Sequence, residues 1–178
     1  RQRARHCAQF SLASSETLDG ATFIAWRTSP TQHGRMVDES EPNAPNGMLV
    51  LRTVAMPKDT NPNGDIFGGW IMAQMDLGGG TLAKEVAHGR VVTVTADKLT
   101  FVRPVKVGDT VCVYGEVTRV GRTSVDIRLE TWARALISDF TKPRHLVTTG
   151  TFRYVAIDDD GRPRVIPSGE FEHLRPES

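Results

Sequence analysis

Asn61-Pro62-Asn63-Gly64-Asp65-Ile66-Phe67-Gly68-Gly69-Trp70-Ile71-Met72-Ala73-Gln74-Met75-Asp76 joins a turn-rich loop to the opening of an amphipathic helix and ends on a carboxylate. The loop side runs from Lys58 to Asp65 and holds two asparagines, two aspartates, Pro62 and Gly64, the residues that favour turns. The periodicity beyond it predicts a helix from about Gly69 to His88, with Gly89 as its C-terminal cap. At about 100° per residue, Ile71, Met75, Leu82 and Val86 fall on one apolar stripe, and Gln74, Thr81, Glu85 and His88 on the opposite polar one. Asp76 lies on neither. Its neighbours three and four residues away are Met72, Ala73, Gly79 and Gly80, so the carboxylate sits on a smooth surface of small residues.

Gly78-Gly79-Gly80 stands in the middle of this helix. Each glycine costs up to about 1 kcal/mol relative to alanine in a helix interior. Three in a row imply that something approaches the helix closely, either a sheet or a ligand.

The segments around the helix read as strands. Met48–Met56 is nearly continuous in apolar residues and ends at Pro57, as expected of a strand covered on both faces. After the helix come Val91–Arg103, a turn over Pro104–Asp109, Thr110–Val120, the tight Gly121-Arg122 connection, and Ser124–Ala135. The last of these alternates, with Val125, Ile127, Leu129 and Thr131 facing one way and Ser124, Asp126, Arg128 and Glu130 the other. A loop over 138–146 and a final strand over Val147–Ile157 complete the series. The order is strand, long helix, then four antiparallel strands, an α+β layout with the helix on one face of the sheet. One helix cannot cover that much sheet, so oligomerisation is expected.

The 178 residues divide into an N-terminal extension over 1–46, a domain over 47–158 and a tail over 159–178. The extension sustains no hydrophobic period; Phe23-Ile24-Ala25-Trp26 suits at most a short strand. Composition favours a disordered extension, and the early Arg1, Arg3 and Arg5 leave a transit segment as the alternative. The tail, rich in Pro, Glu and Arg, is expected to be loose.

A formal net charge of +1 argues against bulk nucleic-acid binding, and no apolar run is long enough to span a membrane. Cys7 and Cys112 form no disulfide framework, and no Cys/His spacing suits a metal. Cys112 reads as a small buried hydrophobe, and a reducing compartment, the cytoplasm, is the simple expectation.

Two features carry chemistry. The Gly68-Gly69 helix opening offers unpaired backbone N–H groups at the positive end of the helix dipole, donors suited to a developing oxyanion. Asp76, two turns on, is suited to activating water or attacking a carbonyl, with pairing to a basic residue at an interface as the structural alternative. Asn63 and Asp65 either tie the loop to its own backbone or face a ligand. There is no Gly-x-Ser-x-Gly, phosphate loop or dinucleotide fingerprint, and the histidines are scattered.

Asn63–Trp70, Gln74-Met75-Asp76, His88–Val94, Phe101–Val105, Val107-Gly108-Asp109 and Gly121–Val125 together resemble the hotdog-fold acyl-CoA thioesterases, above all the bacterial YciA-type hydrolases, from about Leu49 to Ile157. The resemblance implies a long helix wrapped by an antiparallel sheet, dimers with continuous sheets, trimers of such dimers making a homohexamer, and sites at the dimer interface. It implies Asp76 as general base or nucleophile, Gly68 and Gly69 as the oxyanion donors, and Asn63 and Asp65 beside the reacting group. It groups Arg90, Thr93, Arg122, Thr123 and Ser124 with the coenzyme A contact surface, where guanidinium suits phosphate. It implies no metal or redox cofactor, with coenzyme A entering only in the acyl-CoA substrate and leaving as product, in fatty acid metabolism. The loop over 138–146 departs from the family pattern. Related dehydratases carry a catalytic histidine close to the helix start; Phe67 stands there, which argues for hydrolysis. A non-catalytic acyl-CoA sensor is the alternative function, and a scaffold oligomer without a ligand a third.

Overall fold

The computed structural model describes residues 10–18, 21–28, 44–135 and 143–167. The chain divides into two units, Arg1–Glu39 and Ser40–Ser178. In the first, β1 (Phe10–Leu18) and β2 (Ala21–Thr28) pair antiparallel as a hairpin of their own. Composition alone predicts no regular structure there, although the Phe23–Trp26 cluster falls inside β2. The remainder of 1–43 lies outside the described residues.

The second unit contains β3 (Met48–Val54), helix α1 (Gly68–Ala87), β4 (Val91–Phe101), β5 (Asp109–Val120), β6 (Ser124–Ala135) and β7 (His145–Ala156). The five strands form one antiparallel sheet in the order β3-β5-β6-β7-β4, and α1 packs on one face. The α+β layout expected from the sequence is therefore present strand for strand. The last strand starts at His145, inside the stretch read as a loop; residues 136–142 lie outside the described ones.

The helix buries its expected stripe: Ile71, Met75, Leu82 and Val86 join the core with Val111, Val113, Val125, Ile127, Leu129, Phe152 and Tyr154. The left-handed position at its end belongs to His88, at φ 49°, rather than to Gly89. The His88 and Gly89 amides donate to Glu85 and Lys84 carbonyls and close the last turn.

The glycine run is explained mainly by helix–sheet packing. A Cβ on Gly78 would lie 2.9 Å from Val50 Cγ2, and one on Gly79 would overlap the Tyr154 hydroxyl and lie 2.8 Å from Leu129 Cδ1. At Gly80 the nearest atom is a Tyr154 ring carbon at 3.7 Å, an ordinary contact.

On β6 the alternation holds, but the second face is not simply solvated. Glu130 is only 1% exposed. Its carboxylate accepts from the Asn46 amide and side chain and from Trp132 Nε1, and it pairs with Arg128 at 3.1 Å. Cys112, Tyr114, Trp132 and Leu146 form a second buried cluster with Val102. Asp126 receives a two-pronged bond from cross-strand Arg153, at 2.6 and 2.8 Å, which holds its carboxyl below the usual carboxylate range. Strand β4 is an edge, and exposes Val92 and Val94. Met72 and Leu77 are likewise exposed on the helix surface flanking Asp76.

The tail is not loose where it is described. Ile166 is buried in the main core, and Arg164 and Ile166 donate backbone bonds to Ala156 and Arg122. Charged residues flank these positions, so composition concealed the anchor. No described helix is long and apolar enough to cross a membrane.

Gly79→Ala is expected to destabilise the fold by about 1–3 kcal/mol through overpacking, whereas Gly80→Ala should change it by no more than about 1 kcal/mol. Chemical denaturation of both variants measures the difference; equal effects would mean that packing at Gly79 is not what requires a glycine.

Candidate active site

Asp76 is half-buried near the middle of α1. Its Oδ1 accepts a hydrogen bond from Thr93 Oγ1 at 2.6 Å and a longer one from the Tyr154 hydroxyl at 3.4 Å; the Tyr154 hydroxyl also lies 3.3 Å from the Asp76 carbonyl oxygen. Oδ2 has no partner among the described residues. Nor does any described cation of the same chain pair with Asp76. The carboxylate is oriented by neutral hydroxyls through one oxygen and left open at the other.

The two hydroxyls come from adjacent strands. Thr93 of β4 and Tyr154 of β7 are direct register partners. Tyr154 is 1% exposed, and its hydroxyl fits only because Gly79 has no side chain. Burial pushes the phenol far above its ordinary value, and the adjacent Asp76 charge and hydrogen bond add to the shift. Tyr154 is therefore a neutral donor at any pH near 7.

At the helix opening, Phe67 is the N-cap in extended conformation and supplies no side-chain cap. The Trp70 and Ile71 amides both turn back to the Phe67 carbonyl. Gly68 and Gly69 are left with backbone N–H groups that have no acceptor among the described residues. A Cβ at Gly68 would sit 3.4 Å from the Phe101 ring, and one at Gly69 3.0 Å from Phe67 Cζ. The two glycines thus leave room for aromatic rings as well as exposing their donors.

The loop before the helix is tied by Asn61, which the sequence reading passed over. Asn61 Oδ1 accepts from the amides of Asn63 and Asp65 at 2.9 and 3.2 Å, and its own amide donates to the Asp65 carbonyl. Asn63 and Asp65 do not tie the loop with their side chains; both are exposed beside the helix opening. The Asn-x-Asn and Asn-x-x-x-Asp spacing from Asn61 was the available signal.

The remaining expected residues separate. Thr93, grouped by resemblance with the coenzyme A surface, donates to the Asp76 carboxylate. Arg90 and the Arg122-Thr123-Ser124 turn lie near the helix C-terminus, away from the helix opening and a few residues along the strands from the Thr93–Tyr154 pair. There the Ala156 amide bonds Thr123, the Ile157 amide bonds Arg90 and the Ile166 amide bonds Arg122. Arg90 also approaches Asp159 at 3.7 Å in an exposed pair that adds little stability. Among the described residues, no group of His, Cys, Asp and Glu is placed to hold a metal ion.

A long helix wrapped by an antiparallel five-stranded sheet, with a half-buried carboxylate on that helix, is the hotdog arrangement. The family model described as the thioesterase superfamily matches residues 63–135. The acyl-CoA thioester hydrolase YciA of Escherichia coli (strain K12) is 56% identical over 125 residues, covering 70% of this chain and 95% of that protein. Among solved structures, a hexameric broad specificity acyl-coenzyme A thioesterase, crystallised as an aspartate-to-alanine mutant enzyme, aligns with a TM-score of 0.69 and 52% identity, over 72% of this chain and 93% of its own. A hexameric thioesterase from Yersinia pestis aligns with a TM-score of 0.66 and 54% identity, over 71% of this chain and all of its own. The chain belongs to the thioesterase superfamily, within its YciA-like acyl-CoA thioester hydrolases.

The Tyr154 shift has a consequence for stability. The folded state holds the phenol protonated where the unfolded chain, with a value of about 10, releases its proton. The contribution is complete below pH about 10 and is lost as pH rises above it. The stability difference between wild type and Tyr154→Phe is therefore expected to shift against wild type between pH 9 and pH 11, by up to about 1.4 kcal/mol per pH unit. Denaturant titrations at the two pH values check this; a pH-independent difference would show that Tyr154 ionises freely in the folded protein.

Proposed function

We propose that this protein hydrolyses acyl-CoA thioesters, giving a free carboxylic acid and coenzyme A, with Asp76 as the working carboxylate. The observation that carries the mechanism is the state of Asp76: oriented by Thr93 and Tyr154, unpaired with any described cation, and open at Oδ2. Two of the relatives named above are acyl-CoA thioester hydrolases or thioesterases by name, which supports the substrate class.

As general base, Asp76 takes a proton from water while the water oxygen bonds to the thioester carbon. The carbonyl oxygen becomes an oxyanion held by Gly68 and Gly69 N–H groups, and collapse breaks the C–S bond to release the thiolate. As nucleophile, the same carboxylate would form a transient anhydride that water then opens. Both routes need Asp76 ionised. Neither draws on a metal or redox cofactor, and coenzyme A takes part only within the substrate and as product.

Gly69 and Asp76 share a helix face, seven residues and so roughly 10 Å apart along the axis. An oxyanion donor and the attacking group must each come within about 3 Å of the same carbonyl group, so one chain cannot supply both. Arg90 and Arg122 are further still, close to the far end of a helix roughly 30 Å long. A complete site therefore takes the helix opening, with Asn63 and Asp65, from one protomer and Asp76 from another. The open β4 edge and the exposed Met72 and Leu77 surface suit such pairing. The proposed assembly is a homohexamer, a trimer of dimers; the neighbours named above are hexameric. Arg90, Thr123, Ser124 and Arg122 form the surface offered to the coenzyme A phosphates. A cytoplasmic setting belongs to the same proposal; the free, buried Cys112 suits a reducing compartment.

Coenzyme A release, followed with a thiol reagent across short to long acyl-CoA substrates, tests the reading. Wild type is expected to turn over at least part of the panel, and Asp76→Ala to lose about 100-fold or more in kcat with its oligomeric state intact. Binding without turnover in wild type would replace the enzyme with an acyl-CoA sensor. Equal rates in the two proteins would remove Asp76 from the chemistry.

A further inference from the structure

We infer that Arg164 is a positioning residue for coenzyme A recognition, acting through the backbone that carries Arg90 and Arg122. The inference rests on the reading of those two arginines as the phosphate-facing pair.

Arg164 reaches back across the end of the fold. Its Nη2 donates to the Ala87 carbonyl at 2.7 Å and its Nε to the Ile157 carbonyl at 3.2 Å. Ala87 is the last residue of α1, and its carbonyl is among those the helix itself leaves unsatisfied. A guanidinium there satisfies the orphan acceptor and places positive charge at the negative end of the helix dipole. The approach depends on Gly89: a Cβ at that position would lie 2.7 Å from Arg164 Nη2. Gly89 also holds a backbone conformation, φ 149°, that side chains rarely adopt, so conformation as well as this approach favours a glycine there.

The same short segment fixes both phosphate-facing arginines. Arg164 N donates to Ala156 O and Ile166 N to Arg122 O, at 2.9 Å each, while Ile157 N donates to Arg90 O at 3.0 Å. Pro163 and Ile157 form an antiparallel bridge, and the buried Ile166 side chain anchors the segment in the core. Residues 157–166 thus fold back in a tight turn, closed by bonds between Asp158 and Arg162, that ties together the start of β4, the β5–β6 turn and the end of α1. Arg164 locks it by joining helix to strand. Without that lock the segment is held by backbone bonds and one side chain at the margin of the core, and the Arg90 and Arg122 backbones lose a shared reference.

The test compares kcat/KM for an acyl-CoA with kcat/KM for the matching N-acetylcysteamine thioester, which keeps the reacting thioester and lacks the nucleotide and its phosphates. Arg164→Ala is expected to lower the ratio of the two by about 10- to 100-fold, through KM for the acyl-CoA. A residue that merely supported the fold would lower both values together and leave the ratio unchanged, which would overturn the inference. If Arg164→Ala fails to assemble, Arg164→Lys carries the test: it keeps the charge but cannot bridge both carbonyls, and its ratio must also fall. Arg90→Ala and Arg122→Ala are measured alongside. If neither lowers the ratio, the phosphate-facing reading fails and the inference goes with it. If they lower it while both Arg164 variants do not, the inference alone fails.

Discussion

The close approach of α1 to the sheet at Gly78 and Gly79 is the constraint on which the site depends. With no Cβ at these positions, Val50, Leu129 and the Tyr154 hydroxyl come into contact with the helix backbone. That distance brings a phenol from β7 and a threonine from β4 to the Asp76 carboxylate on the helix surface. A bulkier helix would lift Asp76 off both hydroxyls. The cost of three mid-helix glycines is therefore offset by packing and by the orientation of a half-buried anion.

A second constraint is length along the helix. The open N–H groups at Gly68 and Gly69 lie at the helix opening, and the carboxylate of Asp76 lies about two turns further along the helix side. Groups so separated cannot serve one carbonyl, and the fold leaves an apolar strand edge and an apolar helix surface beside them. The chemistry and the exposed surface thus call for the same thing, a second copy of the chain. The opposite end of the helix is closed by the chain itself, through Arg164 and Ile166. One end of α1 is left with open backbone donors and the other is closed by side-chain and backbone bonds.

Much of this was legible in the residues. Ile71, Met75, Leu82 and Val86 mark the buried stripe, Val125, Ile127 and Leu129 the inner face of β6, and Asp76 stands out because it fits neither helical stripe. Where the reading went astray, local composition pointed one way and a distant contact the other. Alternation turned Glu130 away from Val125, Ile127 and Leu129 but gave no sign that Asn46, Trp132 and Arg128 enclose it. The segment after Ile157 looked loose because its apolar anchor is a single isoleucine among charged and turn-forming residues. Asn63 and Asp65 looked like loop ties, whereas the acceptor that ties the loop is Asn61.

The sequence by itself determined the order of elements, the buried faces, the helix with its exposed donors and the identity of the carboxylate, because each is set by periodicity or turn chemistry over a few neighbouring residues. Only the tertiary structure decided what holds that carboxylate and what closes the helix. Thr93, Tyr154 and Arg164 meet their partners across 17, 78 and 77 residues of chain. Such contacts are made by strand pairing and helix–sheet distance, which leave no spacing in the sequence to read.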